Sequence, residues 1–195
     1  MLGYVCKYTP MELFEAMDTE ITRLEPSVTD FNHADTLMHA NICSYTKAVL
    51  EDVMEHDYEG VILTTCCDSI RRLYDTLKSQ FPDKFFFLLD IPRKFNDFAV
   101  TLYERQLKQM LTEYEAFSGK TLDLKRFVSM MQNKAALKKQ ENTRMSASAA
   151  SEKGNGQKLN IGIMGARCNN EIRQLLVDRG ANLLLSLIHI SDPTR

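Results

Sequence analysis

Apolar residues along this chain follow two rhythms. Gly60 to Thr65 (GVILTT) and Lys84 to Ile91 (KFFFLLDI) are apolar at nearly every position, the pattern of strands buried on both faces of a parallel sheet. After each run the period lengthens to near 3.6. Ile70, Leu73, Tyr74 and Leu77 predict a helix capped by Asp68 or Ser69, and a longer helix is predicted from Asp97 to Phe117, stopping at Ser118-Gly119. Upstream, Gly3 to Cys6 reads as a short strand. Thr9-Pro10-Met11-Glu12 reads as a capping box with proline at the first helical position, opening a helix of about ten residues through Leu13, Phe14 and Met17. Ile21 to Leu24 is a second short extended segment, closed by Pro26. Asn41 to Glu55 predicts a helix with Tyr45, Ala48, Val49 and Val53 on one stripe, and Leu122 to Lys139 is helical in pattern as well. Strands alternating with helices of this length predict an α/β domain built on a parallel sheet.

The rhythm breaks at MSASAASEKGNGQ, where small and polar residues replace the apolar periodicity. It then resumes: Leu159 to Met164 as a strand, Asn169 to Arg179 as a helix ending at Gly180, and Ala181 to Leu185 as a further strand. The expected organisation is therefore an α/β domain over 1–143, a linker over 144–157, and the truncated start of a second, similar domain over 158–185. The last ten residues, SLIHISDPTR (186–195), continue no such pattern. They resemble translated sequencing-adapter DNA at the end of a cut reading frame, so they are treated as a non-native tail and His189 is given no functional weight.

Composition narrows the partners. With 44% hydrophobic and 26% charged residues and a formal net charge of -2, the chain matches ordinary soluble protein and offers no electrostatic case for nucleic acid or an anionic membrane. The basic stretch Lys134 to Arg144 reads as a solvated helix face. The N-terminus lacks the basic and apolar regions of a secretory signal, and no apolar run reaches transmembrane length. A cytoplasmic protein is expected. In that reducing setting the five cysteines, Cys6, Cys43, Cys66, Cys67 and Cys168, are candidates for burial, catalysis or metal binding and not for structural disulfides.

Four of these thiols are candidate ligands. Ligands of an open parallel sheet bind beyond the carboxyl ends of its strands, where the following helices begin. Cys66 and Cys67 stand between a strand and a helix, Cys168 repeats that placement after IGIMGAR, Cys43 lies in or just before the first turn of its helix, and Cys6 follows a strand, so that four separate segments bring thiols toward one face. A sulfur there feels the positive end of the helix dipole, which favours the thiolate and hence metal ligation or nucleophilic reactivity. The competing reading is core filler, since free cysteine is among the most buried residue types. The adjacent Cys66-Cys67 pair argues against it, because consecutive strand-end residues face opposite ways and only one can be filler. With no C-x-x-C in the chain, a zinc ribbon or thioredoxin site is disfavoured, and ligands scattered singly over a sheet edge suit an iron-sulfur cluster held between domains. His33 and His39 read as surface or loop-packing residues, Arg71 and Arg72 as water-facing, and the methionines and Phe85 to Phe87 as core. GIMGAR is too poor in glycine for a nucleotide fingerprint.

HANICSYTKAVLEDV, GVILTTCCDSIRRLYD, FFFLLDIPRK and IGIMGARC together resemble the 2-hydroxyacyl-CoA dehydratase D-component family, which includes benzoyl-CoA reductase subunits and double-cubane cluster proteins. The resemblance spans residues 1 to 185. It implies two flavodoxin-like α/β domains with an oxygen-sensitive cluster between them, a paralogous partner subunit or a homodimer, an ATP-dependent activator protein, and an acyl-CoA substrate. In dehydratase subunits three cysteines hold a [4Fe-4S] cluster, an electron from the activator converts the acyl-CoA into a ketyl radical anion, and hydroxide leaves. Cys43 and one of Cys66 or Cys67 match the N-terminal ligands, and Cys168 stands where the second domain begins. The paired Cys66-Cys67 departs from the three-cysteine scheme and resembles the double-cubane branch, whose [8Fe-9S] cluster needs more thiolates and which reduces small molecules. A non-catalytic α/β partner subunit with core cysteines is the remaining alternative. The resemblance singles out no catalytic acid or base. The 195-residue chain is expected to be inactive alone.

Overall fold

The structure, a computed structural model, describes residues 1–28, 30–92, 94, 96–135, 159–164 and 170–186. The chain divides into two units, Met1–Lys139 and Gln140–Arg195.

In the first unit four short apolar runs form β1 (Leu2–Tyr4), β2 (Ile21–Arg23), β3 (Gly60–Thr64) and β4 (Phe85–Leu89). They make one all-parallel sheet in the order β2-β1-β3-β4, with Tyr4 opposite both Arg23 and Ile62 and with Gly60 opposite Phe85. Between them run α1 (Met11–Glu15), α2 (Asn32–Leu37), α3 (Ser44–Glu55) and α4 (Asp68–Gln80), and after them α5 (Asp97–Ser118) and a helix α6 over 124–135. The alternation of side chains along each strand splits the core into two layers. Val61, Leu63 and Phe86 join Val49, Leu50 and Val53 of α3 and Ile70, Leu73 and Leu77 of α4 on one face. Ile62, Phe85, Phe87 and Leu89 join Leu13 and Phe14 of α1 and Met110 and Tyr114 of α5 on the other.

This is a doubly wound, flavodoxin-like arrangement, in which the strand order reverses between β1 and β3. The placement of α5 sets the limit of the sheet. A right-handed crossover to a strand beyond β4 would need its helix on the α3/α4 face. With α5 on the α1 face, β4 is an outer edge among the described residues.

The helix limits match the sequence where the stop signals are strong. Asn96 caps α5 by accepting the Ala99 N–H at 2.8 Å, and Gly119 ends it at φ 70, a left-handed turn for which glycine has no steric penalty.

Several local expectations are corrected. The α1 helix has five residues instead of about ten, because the chain turns at Asp18 (φ 52) to enter β2. No capping box forms there: Pro10 is the N-cap, and the Thr9 hydroxyl is buried with no hydrogen-bond partner. The expected Asp68 or Ser69 cap is instead Cys67, and α3 opens with Cys43 as its N-cap. Helix α2, not anticipated from periodicity, is held by tertiary contacts: buried Glu51 of α3 accepts the Ala34 N–H at 2.7 Å and lies 2.7 Å from His33 Nδ1. Lys134 is not merely solvated, since its ammonium reaches Glu12 at 3.2 Å and Glu15 at 3.1 Å. Phe85 to Phe87 and Met17, Met38 and Met110 are core as expected, whereas Met1 and Met131 are exposed.

In the second unit β5 (Asn160–Met164) pairs in parallel with β6 (Asn182–Ser186) through helix α7 (Asn170–Asp178), which ends at Gly180 with φ 82. That is one complete strand-helix-strand repeat. Residues 144–157, expected to be a linker, lie outside the described residues.

Candidate functional site

In a parallel sheet the helices run back against the strands, so the N-termini of α3 and α4 lie at the sheet's carboxyl edge together with the ends of β1 and β3. Three of the four candidate thiols fall there. Cys67 ends the β3-α4 turn, Cys66 precedes it with its N–H donating to Thr64 O at 2.7 Å, and Cys43 begins α3. All three are free and exposed, which removes the core-filler reading for them. Cys168 lies outside the described residues.

The edge also holds Cys6, which the sequence placed with the other thiols without naming it a ligand. Cys6 is free and half-buried just past β1, the strand that neighbours β3. The Val5 N–H reaches Ile62 O at 3.3 Å, so pairing with β3 continues to the residue before it. Cys66 lies within electrostatic reach of both Cys67 and Cys6. A strand followed by cysteine was visible in the sequence; the adjacency of β1 and β3 was not.

The thiols are tuned in opposite directions. For Cys66 burial pushes the thiol up, the Thr64 hydroxyl opposes, and charge on Cys67 or Cys6 adds to the rise. For Cys43 burial also pushes upward. Hydrogen bonds to the sulfur from the Thr46 hydroxyl, the Ser69 hydroxyl and the Thr46 and Tyr45 N–H groups prevail and leave it below the ordinary thiol value. The Thr46 Oγ1 distance is 3.2 Å.

Chemically, this edge gathers soft donors at two helix N-termini. Serine, threonine or aspartate normally fills an N-cap and satisfies the first-turn N–H groups. Cys67 makes no such bond, so the start of α4 keeps its positive end for a thiolate or another anion. Asp68, in the same turn, adds an opposing negative charge. Among the described residues no group of three or more His, Cys, Asp or Glu is set closely enough to hold a metal ion. A multi-iron cluster is wider than one ion and takes its thiolates further apart, and an all-sulfur donor set at separate loops is the kind such clusters use. The donors present therefore fit the chemistry of an iron-sulfur cluster.

Beside the thiols, at the outer edge of β4, a cleft of about 370 Å³ lies between Arg71, Tyr74 and Lys78 of α4 and Gln106, Gln109 and Glu113 of α5. Arg71, read from the sequence as water-facing, is exposed and lines it. At its upper end the Thr65 hydroxyl donates to Asp90, and Gln106 Oε1 accepts the Asp90 N–H at 2.7 Å. The first bond joins the ends of β3 and β4 beside the turn that carries Cys66, and the second ties the end of β4 to α5.

The first unit is an all-parallel α/β unit with free, exposed thiols at the carboxyl edge of its sheet, the edge at which sheets of this class bind their ligands. The family follows from the sequence match: residues 6–173 match the family described as 2-hydroxyglutaryl-CoA dehydratase, D-component, and the chain belongs to that family. The matched span includes all five cysteines. No curated protein matches the sequence. The chain is thus a component of a 2-hydroxyacyl-CoA dehydratase-like system, one that operates with other subunits. Among the described residues no helix is long and apolar enough to cross a membrane.

Proposed function

We propose that the chain is the iron-sulfur subunit of a 2-hydroxyacyl-CoA dehydratase-like lyase, holding a [4Fe-4S] cluster with Cys43 and Cys66 or Cys67, completed by Cys168. The observation that carries this reading is the exposure of Cys43, Cys66 and Cys67 as free thiols on one edge of a family-matched α/β unit. A bound cluster would supply low-potential electron transfer to the substrate carbonyl, with the electron delivered by an ATP-dependent activator. The protein's own part is to hold it. Thr46 and Ser69 steady the Cys43 thiolate, the open start of α4 offsets negative charge, and the Thr65-Asp90 bond keeps the Cys66 turn in place. The partners are a paralogous subunit or a second copy, the activator and an acyl-CoA, in the cytoplasm.

One observation favours the double-cubane branch as a second reading. Both members of the Cys66-Cys67 pair are exposed, so neither is committed to the core and both remain free as ligands. The same exposure speaks against a non-catalytic subunit with core cysteines. The test is anaerobic production of the protein from its complete reading frame with its partner subunit. Stoichiometric iron and acid-labile sulfide, followed by activator- and ATP-dependent dehydration of a 2-hydroxyacyl-CoA, support the first reading. ATP-driven reduction of acetylene or azide without dehydration supports the second, and a colourless protein without iron refutes both.

A further inference from the structure

The outer edge of β4 has no strand beside it among the described residues, and it forms the floor of the cleft between α4 and α5. We propose that this edge is a docking groove in which an extended, acidic segment of a partner chain adds as a further strand, pairing with the main chain of β4 and setting its carboxylates against Arg71 and Lys78 of α4. The proposal goes beyond the cluster reading and is independent of it.

Three observations carry it. First, the register shows which backbone groups are open. The Phe85 N–H donates to Glu59 O at 2.9 Å and Leu89 O accepts the Thr65 N–H at 3.0 Å, so Phe85, Phe87 and Leu89 turn their backbone groups to β3 while Phe86 and Leu88 turn theirs outward. The ladder is closed at both ends: the Lys84 N–H donates to Phe81 O at 3.1 Å, and the Asp90 N–H donates to Gln106 Oε1 at 2.7 Å. The N–H and C=O groups of Phe86 and Leu88 stay open between them, a template for a short added strand. Second, the edge carries none of the usual protection, since β4 is apolar at all five positions and has neither a charged residue nor a proline to deter pairing. Such an edge calls for a cover, and the chain belongs to a family that operates with other subunits. Third, the α4 wall of the cleft is cationic. Arg71 and Lys78 are exposed on one stripe, and the Lys78 ammonium is posed by the Tyr74 hydroxyl oxygen, to which it donates at 3.0 Å. Seven residues of helix separate the two by about 10.5 Å along the axis, a span that three alternate positions of an extended segment cover. Asp90 and Glu113 are engaged by neutral donors, the Thr65 hydroxyl and the Gln109 amide, and among the described residues neither is ion-paired with Arg71 or Lys78. The cations are therefore left to an incoming carboxylate. A second copy is a poor occupant: pairing β4 with β4 about a two-fold axis sets α4 beside α4, where Arg71 and Lys78 meet the same two cations.

The test uses the whole chain without its partner subunits and, as probe, a fluorescein-labelled heptapeptide alternating glutamate and valine, which has all its carboxylates on one face when extended. Anisotropy should show binding at least about tenfold tighter than that of the matching lysine-valine peptide, and a loss of at least about tenfold in the double variant Arg71→Glu, Lys78→Glu. Hydrogen exchange followed by NMR on the unaltered protein should slow at least about tenfold at the Phe86 and Leu88 amides when the peptide is bound, while the Asp90 amide, already held by Gln106, changes by less than about twofold. That footprint decides the matter even if the variant does not fold. Equal binding of the two peptides, no binding at about 1 mM, or unchanged exchange at Phe86 and Leu88 overturns the proposal. So does protection of those two amides that is present without peptide and vanishes on dilution, which would assign the edge to a second copy.

Discussion

Gly60 is the position where a single methyl group tests the whole sheet. It opens β3 opposite Phe85 of β4, and a Cβ added there would sit 1.9 Å from the Phe85 carbonyl oxygen and 2.7 Å from its Cβ. Real Cβ contacts do not fall below 3.0 Å, so Gly60→Ala requires the two strands to part by at least about 1.1 Å at this point. The obstacle is backbone, which cannot swing aside as a flexible side chain would. Phe85 is 6% exposed and its N–H donates to Glu59 O at 2.9 Å. Overpacking of a well-filled core costs about 1–3 kcal/mol, and weakening that ladder bond adds about 0.5–1.5 kcal/mol. The expected loss is about 1.5–4.5 kcal/mol, a roughly 13- to 2,000-fold fall in the folding equilibrium. Urea unfolding followed by circular dichroism measures it, and hydrogen exchange should place the loosening in β4. Gly119→Ala is the matched control. It has φ 70 but nothing within 4 Å of its added Cβ, so it should show only the left-handed penalty of about 1–2 kcal/mol. If Gly60→Ala unfolds within about 0.5 kcal/mol of the unaltered protein, the pairing of Gly60 with Phe85 is wrong, and with it the position of the Cys66 turn.

Other perturbations reach the layers around that sheet. Tyr114 and Tyr58 are buried and their phenols are held up to about 12, Tyr114 by burial and by its bond to Glu59, Tyr58 by burial and by Asp52. Unfolded tyrosine loses its proton near 10, so between about pH 10 and 12 the unfolded chain has released protons that the folded one retains, and stability should fall across that window. A double Tyr58→Phe, Tyr114→Phe protein should lose stability less steeply there, as read by chemical denaturation at successive pH values; an unchanged slope would refute the assignment. Thr46→Val removes the main hydroxyl that stabilises the Cys43 thiolate, so the pH midpoint of Cys43 alkylation in iron-free protein should rise, and an unmoved midpoint would show that Thr46 does not act on the sulfur. Glu51→Ala strips α2 of its acceptor for the Ala34 N–H and leaves His33 unpaired; a loss of about 2–3 kcal/mol is expected by denaturation, and one below about 0.5 kcal/mol would mean that α2 is held by other contacts.

The sequence by itself determined the α/β class, the limits of α5, and the presence of thiols at strand ends and helix starts. Each of these depends on neighbours along the chain: continuous apolar runs, a 3.6-residue period, Ser118-Gly119 as a stop signal, and cysteines standing where a strand pattern ends or a helical one begins. The tertiary structure decided the rest, because it depends on residues far apart. No local signal marks α2, whose short helix is fastened by Glu51 from another helix, or the early end of α1 at Asp18, where the path into β2 overrides helical propensity. The order β2-β1-β3-β4 could not be read from chain order, since it places β3 beside β1 and not beside β2. That one exchange of neighbours sets the ends of β1 and β3, followed by Cys6 and by Cys66-Cys67, on adjacent strands of one sheet although they lie about sixty residues apart in the sequence.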